Sequence, residues 1–317
     1  ARAAAVCRMQ GAASYGAAAA PSKPPREPLS CASLTFVATA VLLPWLVFSA
    51  SFWALSFSLH YRQEEVCWYL IDLCGAIVVI CGAMAGLAVQ KQRMGRAGPP
   101  VMLVFTFLTL LLGWLLGIYL GKSNYEARMQ RYYQITGMNS YPRVDPARTS
   151  GLQVTDAGRI VFASGSALGV PLSMGFKSGA TYCVAPIVIG TDRLSSYDFW
   201  AVGTDCCSSG TADFRCGESA GRMAHAGMRL LDTSKDQFFR LAVKNAELVH
   251  GIRAEHPLFF EWVEDPIGDM NVLREAGFHV YLLGVCLFLA VQLVLAVVVN
   301  VSFGRKPIFS LGRGPEV

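Results

Sequence analysis

Charge is scarce in this chain. Of its 317 residues only 15% are Asp, Glu, Lys or Arg, while 53% are hydrophobic. Soluble domains carry about 25% charged residues. The sequence therefore lacks the polar surface that a water-exposed globule of this size needs, which argues against a large soluble enzyme. The apolar content also excludes disorder throughout. The short motifs of common chemistries are missing too: there is no His-Glu-x-x-His, no phosphate-binding Gly-x-x-x-x-Gly-Lys loop and no Gly-x-Gly-x-x-Gly. The segment from Gly165 to Gly169 has the wrong spacing for a Gly-x-Ser-x-Gly nucleophile elbow. Neither a Cys-x-x-Cys pair nor an internal repeat is present.

What the chain has instead is four long apolar runs, at about 34–59, 66–89, 100–121 and 278–303. Each meets the requirement of about 20 apolar residues for a membrane span. The first contains Pro44 and Trp45, which predicts a kink. The second holds one acid, Asp72, and the fourth one strongly polar interior residue, Gln292. A single such run fits a buried soluble helix, but four in one chain read as a transmembrane bundle.

Basic residues set the expected orientation. Arg2, Arg8, Lys23 and Arg26 precede the first span, Lys91, Arg93 and Arg96 occupy the 90–99 connection, and Arg305, Lys306 and Arg313 follow the fourth span. The first connection, 60–65, has one Arg against Glu64 and Glu65. The positive-inside rule then puts both termini and the 90–99 connection in the cytosol. Residues 1–33 are expected to form a disordered cytosolic tail without the apolar core of a signal peptide, and residues 304–317 a second, shorter cytosolic tail. The remaining connection, 122–277, becomes an exoplasmic domain. It holds 16 Lys and Arg against 17 Asp and Glu, so it is no nucleic-acid surface. The chain's formal +5 lies at the cytosolic edge, facing anionic lipid.

Inside this domain, 125–134 is expected to continue the third span as helix. Strands are expected at 159–163, 171–176, 181–189 and 197–203, followed by a helix over 234–250. Ser234 and Gln237 have capping-box spacing, and Gly251 closes the helix. The fold class is thus α+β: four spans with an α+β domain between the third and fourth, its strands placed first. Cys183, Cys206, Cys207 and Cys216 are an even set on the oxidising side, which points to two disulfides. A bond between adjacent Cys206 and Cys207 is strained, so Cys183 is expected to pair with one and Cys216 with the other. Their spacing does not favour a metal site. Cys67 is expected to be a free thiol, Cys74, Cys81 and Cys286 packing residues, and Cys31 a lipidation candidate.

No catalytic constellation stands out, and no catalytic residue, cofactor or metal ligand is assigned. His225 and Asp205 flank the cysteines, and His250 to His256 with Glu261, Glu264 and Asp265 offers cation ligands. The aromatic residues interleaved there read better as a buried or membrane-apposed stretch. Asp72 is a candidate for transport or for pairing with His279 at the same end of the fourth span. Gln292 is expected to bond a neighbouring helix. Gly82 and Gly86 on the second span, and Gly113, Gly117 and Gly121 on the third, have the small-residue spacing of close helix contacts, within the bundle or between subunits.

Two resemblances follow from these residues. The span order, with a short first outer connection and a large second one bearing adjacent cysteines, resembles tetraspanin topology. That family's motif is Cys-Cys-Gly and its large loop mainly helical; here Ser208 and Ser209 precede Gly210 and the domain is strand-rich, so the likeness carries no partner across. More locally, Tyr-Asp-Phe-Trp-Ala-Val-Gly-Thr-Asp-Cys-Cys-Ser-Ser-Gly-Thr-Ala-Asp-Phe-Arg-Cys-Gly-Glu (197–218), with 226–231, 238–243 and 256–262, resembles an uncharacterised family of multi-pass membrane proteins in alveolate algae. The resemblance covers most of the exoplasmic domain and the approach to the fourth span, supports that domain, and implies no activity and no catalytic residue. The expected function is ligand or partner binding, or assembly, by that domain on a lipid-embedded anchor, with self-association open to the domain or the glycine-rich spans. A transporter or channel subunit using Asp72 and an exoplasmic enzyme are the alternatives.

Overall fold

The structure, a computed structural model, describes residues 31–303 apart from 97, 191, 192 and 222. All of the C-terminal tail and most of the N-terminal one therefore lie outside the described residues. The chain divides into residues 1–39 and 40–317; the sheet and the packed helices belong to the second unit.

Four helices are long and apolar enough to cross a membrane. They are α1 (Cys31–Ser56), α3 (Glu64–Arg93), α4 (Val101–Asn124) and α7 (Pro266–Phe303), with a short α2 (Ser58–Arg62) between the first two. Each of the four holds a long apolar run in which an α-helix satisfies every backbone N–H and C=O within the segment itself. A π turn at Tyr125–Met129 carries α4 into α5 (Gln130–Gly137). α7 begins twelve residues before the apolar run at 278. Pro266 opens it, and the Asp265 carboxylate accepts from the amides of Ile267 and Gly268, both at 3.0 Å.

Glycine decides how α4 meets α1. A Cβ at Gly117 would lie 2.9 Å from the Phe48 carbonyl oxygen, and one at Gly121 2.8 Å from the Leu55 Cβ. At Gly113 the close neighbours are Phe288 and the Pro44 carbonyl. This glycine row thus serves contact within one chain. On α3, a Cβ at Gly82 would meet only the Phe107 ring, and Gly86 faces open space. Gln292 is the polar centre, 2% exposed, donating to the Ala40 carbonyl at 3.0 Å and to Thr109 Oγ1 at 3.1 Å.

The other half of the fold is one mixed eight-stranded sheet, in the order β1-β2-β7-β8-β6-β5-β3, with β4 also on β5. The strands are β1 (Asn139–Val144), β2 (Ala157–Phe162), β3 (Ser166–Leu168), β4 (Met174–Ser178), β5 (Ala180–Ile189), β6 (Phe199–Thr204), β7 (Ala226–Arg229) and β8 (Leu258–Val263). Alternation sorts the side chains. Tyr182, Val184, Trp200, Val202 and Phe259 face α6 (Thr233–His250), which buries Phe239, Ala242, Val243 and Ala246 against them. Cys183, Ala185, Phe199, Ala201, Phe260 and Trp262 face the other way, under the loops.

Two expectations are corrected. The strands do not all come first: β7 precedes α6, β8 follows it, and β8 sits centrally between β7 and β6. Leu258 to Trp262 of the 256–262 aromatic stretch belong to this strand, held inside the sheet. The cap of α6 is Asp232, whose side chain accepts from the Ser234 amide at 3.1 Å, while the capping box lies at Ser150 and Gln153. Gly251 does end α6, at φ +62°. The sheet meets the helices where Ile135 of α5 and Met270 of α7 close over Ala226, Met228 and Val263.

Candidate functional site: a polar cleft beside the cysteine cluster

The four cysteines come together. Cys183 stands on β5, and its cross-strand neighbours are Gly175 on β4 and Gly203 on β6. A Cβ at Gly203 would lie 2.5 Å from the Cys216 Cβ, and one at Gly175 2.5 Å from the Ser208 carbonyl. This Gly-Cys-Gly track lets the loop after β6 lie directly on the sheet. The sulfurs are at disulfide distance, 2.07 Å for Cys183 and Cys207 and 1.91 Å for Cys206 and Cys216. Adjacent Cys206 and Cys207 reach different partners. Cys183, Cys206 and Cys216 also place their sulfurs within 4.8 Å of one another, the one such His, Cys, Asp or Glu group among the described residues. The His250–Asp265 segment forms no such group there.

The remaining candidates are dispersed into local roles. Asp205, at φ +58°, accepts from the Thr181 amide at 2.8 Å while its own amide donates to the Thr181 carbonyl at 2.7 Å. The exposed His225 contacts the Met223 carbonyl, and His250 approaches the Ser173 carbonyl at 3.4 Å. Glu264 bonds Glu218 through its amide, Asp265 caps α7, and Glu261 pairs with Arg131. No hydrogen bond joins His225 to Asp205 among the described residues. The pairing of Asp72 with His279 is not formed either. Both are exposed, and no hydrogen bond or ion pair joins them among the described residues. Cys67, Cys74 and Cys81 are buried thiols, whereas Cys286 faces outward on α7, so it is no packing residue within the chain. The side chain of Cys31 lies outside the described residues.

Apart from Glu261 and the cysteines, the groups that do converge were not singled out from sequence. Beside the cysteine cluster a cavity of about 420 Å³ is lined by Cys206, Cys216, Arg215 and Asp269 among others. A second, of about 500 Å³, runs from there to the π turn and α5. The two share Leu230, Lys235 and Glu261, so they form one cleft between the sheet, the start of α6 and the helices that continue α4. Most of its charges are matched: Arg131 with Glu261, Lys235 with Asp232 at 3.1 Å, and Glu126 with Lys122 at 3.8 Å. Gln130 and Gln134 add amides. The cleft's volume falls within the range of small-molecule sites.

Asp198, at the start of β6, is the other residue that sequence reasoning passed over. It is 4% exposed and accepts from Gly151 N at 2.8 Å, Ser196 Oγ at 2.6 Å, Ser150 Oγ at 3.3 Å and the amides of Glu255 and His256, each at 3.2 Å. Burial pushes its carboxyl up, but the bonds from Ser196, Gly151, His256 and Ser150 outweigh it and hold the group below the usual carboxylate range. Its role is to tie three loops together. No family model, no curated protein and no solved structure matches the chain.

Proposed function

We propose that the protein is an integral membrane protein with four spans and cytosolic termini, whose exoplasmic α+β domain, closed by two disulfides, binds a small polar ligand or partner group in the cleft. The observation that carries this reading is the confluence of two cavities walled by paired charges, at the junction of the sheet with the helices. Membership of the alveolate-algal family belongs to the same proposal and rests on residues 197–218, 226–231, 238–243 and 256–262. Asp72 lines none of the cleft, so nothing specific favours a transport pathway.

Two measurements test it. Glycosylation acceptor sites introduced at 208–212 are expected to be modified and those at 90–99 to stay unmodified; the reverse pattern overturns the orientation. For binding, the full chain in lipid nanodiscs is screened by thermal unfolding against a panel of small anions, cations, zwitterions and neutral sugars. At least one member should raise the unfolding temperature in a way that Leu230→Trp, which fills the cleft, removes. A silent panel, or responses indifferent to Leu230→Trp, overturns the binding reading.

A further inference from the structure

In the wider cavity one cation has no ion pair among the described residues. Arg229, the last residue of β7, forms part of the wall of the wider cavity. Among the described residues its guanidinium has no ion pair and no hydrogen-bond acceptor, and Nη1 is buried without a partner. Its contact is with the ring of Phe260, 5.6 Å from the centroid. Asp236, whose charge reaches it, is already bound to Arg240 at 2.6 Å. Burial accordingly pulls the Arg229 pKa down, with Asp236 opposing and Arg240 adding to the effect. A half-buried cation with an enclosed, unpartnered Nη1 is costly, and it becomes favourable once an anion supplies both charge and acceptors.

We propose that the wider cavity is an oxyanion site in which Arg229 receives a phosphate group. The planar guanidinium offers paired donors that match phosphate geometry. Gln130 and Gln134 supply further amide donors, and Lys235 is close enough to share the same cavity wall. The wall carries three cations and three carboxylates, but Arg131 is paired with Glu261, Lys235 with Asp232, and Glu126 with Lys122 outside the wall, so Arg229 is the wall's one cation without an ion pair. Glu126 and Gln130 belong to the helix that continues the third apolar segment, so the phosphate can come from a lipid headgroup or from solution. The chemistry at Arg229 is the same for both.

The assignment rests on the binding reading above and narrows it. The full chain in phosphatidylcholine nanodiscs is titrated with inorganic phosphate and followed by thermal unfolding; a parallel set uses nanodiscs containing phosphatidic acid and no added phosphate. Wild type is expected to gain stability from at least one source. Arg229→Leu should weaken the apparent affinity at least about tenfold, while Lys244→Met, on the outer face of α6, should change it less than about threefold. Without any anion, Arg229→Leu should unfold at a higher temperature than wild type, because a half-buried cation without a counter-ion has been removed; a merely structural role would lower it. If Arg229→Leu does not fold, Arg229→Lys serves in its place, with a weakened phosphate response expected from loss of the fork. Response to phosphatidic acid alone assigns a headgroup, and response to phosphate alone a soluble ligand. Equal responses in wild type and Arg229 variants overturn the proposal, as does silence toward both sources. If a cation, zwitterion or sugar then gives a response sensitive to Leu230→Trp, the oxyanion assignment falls and the binding reading stands.

Discussion

The apolar helices and the sheet domain achieve close contact by opposite means. Between α1 and α4 the side chain is missing: Gly117 and Gly121 bring backbone against backbone, with Gln292 as the polar tie. In the sheet domain the space is filled instead, by Trp200, Phe239 and Phe259 on one face and by Phe162, Phe260 and Trp262 on the other. The physical reason is solvent. On the proposed reading the helices cross lipid, where they gain little from hydrophobic burial against each other, so dispersion at short range holds them and small residues make that possible. The sheet domain must exclude water, and large side chains do that. The volume change that does most damage should therefore have opposite sign in the two regions: loss in the sheet domain, gain between the helices.

Removing volume gives the largest expected effect. Phe239 is 1% exposed and packs edge-on to Tyr182 with centroids 5.4 Å apart. Phe239→Ala should destabilise the sheet domain by about 3–5 kcal/mol, read as the urea midpoint of full-length protein by tryptophan fluorescence. A loss under about 1 kcal/mol would show that α6 is not the lid of this core. Adding volume should be next. Gly121→Leu, whose first added atom already meets Leu55 and the Phe52 carbonyl, should cost about 1–3 kcal/mol. Gly86→Leu, which meets nothing within 4 Å, should be within about 0.5 kcal/mol of wild type. Unfolding in mixed detergent micelles measures both. Equal effects at the two positions would mean that α4 does not approach α1 this closely, or that Gly86 packs against a second copy.

The contrast also explains what could be read in advance. Runs of twenty apolar residues announce the four helices, and β5 and β6 fall on 181–189 and 197–203, where β-branched and aromatic residues lie between turn signals. β8 was hidden. Leu258, Phe259, Phe260, Trp262 and Val263 are all buried, so the strand shows no alternation, and it lies shortly before the fourth long apolar run, into whose reading its own apolar residues are drawn. The cysteine set was legible as chemistry because the residue type is rare, whereas the Gly175-Cys183-Gly203 track that seats its loop exists only once three strands are in register. The cleft was illegible for the same reason. Arg229, Glu261 and Arg131 are one cation, one acid and one cation scattered over 130 positions; only the fold shows which charges match and which is left over.

Within the sheet domain, covalent and polar ties differ in how they respond to conditions. Asp198→Asn removes a carboxylate that five donors hold, and turns an amide NH₂ toward some of them. A cost of about 2 kcal/mol at neutral pH is expected. Hydrogen exchange should rise together at Gly151, Glu255 and His256, since one side chain holds all three. Exchange that rises at Gly151 alone would mean that the loops are fixed independently.

The smallest effect belongs to Asp213, in the loop that Cys206 and Cys216 close. It accepts from the Ser208 amide and hydroxyl, both at 2.8 Å, and from Thr211 Oγ1 at 2.7 Å. The Ser208 amide first, then the Thr211 and Ser208 hydroxyls, hold its pKa down to about 2. An unfolded Asp titrates near about 4. Because the folded value is the lower one, the stabilisation is present above about pH 4 and is lost as pH falls toward 2. The group is fully exposed, so solvent and salt weaken the contribution. The loop is further anchored by sulfurs 10 residues apart in sequence at bonding distance. Asp213→Asn should therefore loosen only this loop: proteolysis between 207 and 216 quickens at pH 7, while the global urea midpoint barely moves. The difference from wild type should close as the pH approaches 2. After mild reduction it should widen, because the carboxylate then holds the loop without its covalent tie. A gap that persists unchanged down to pH 2 would mean that side-chain shape, not charge, keeps the turn. A gap unaffected by reduction would mean that the Cys206 and Cys216 sulfurs contribute nothing to holding the loop on its track.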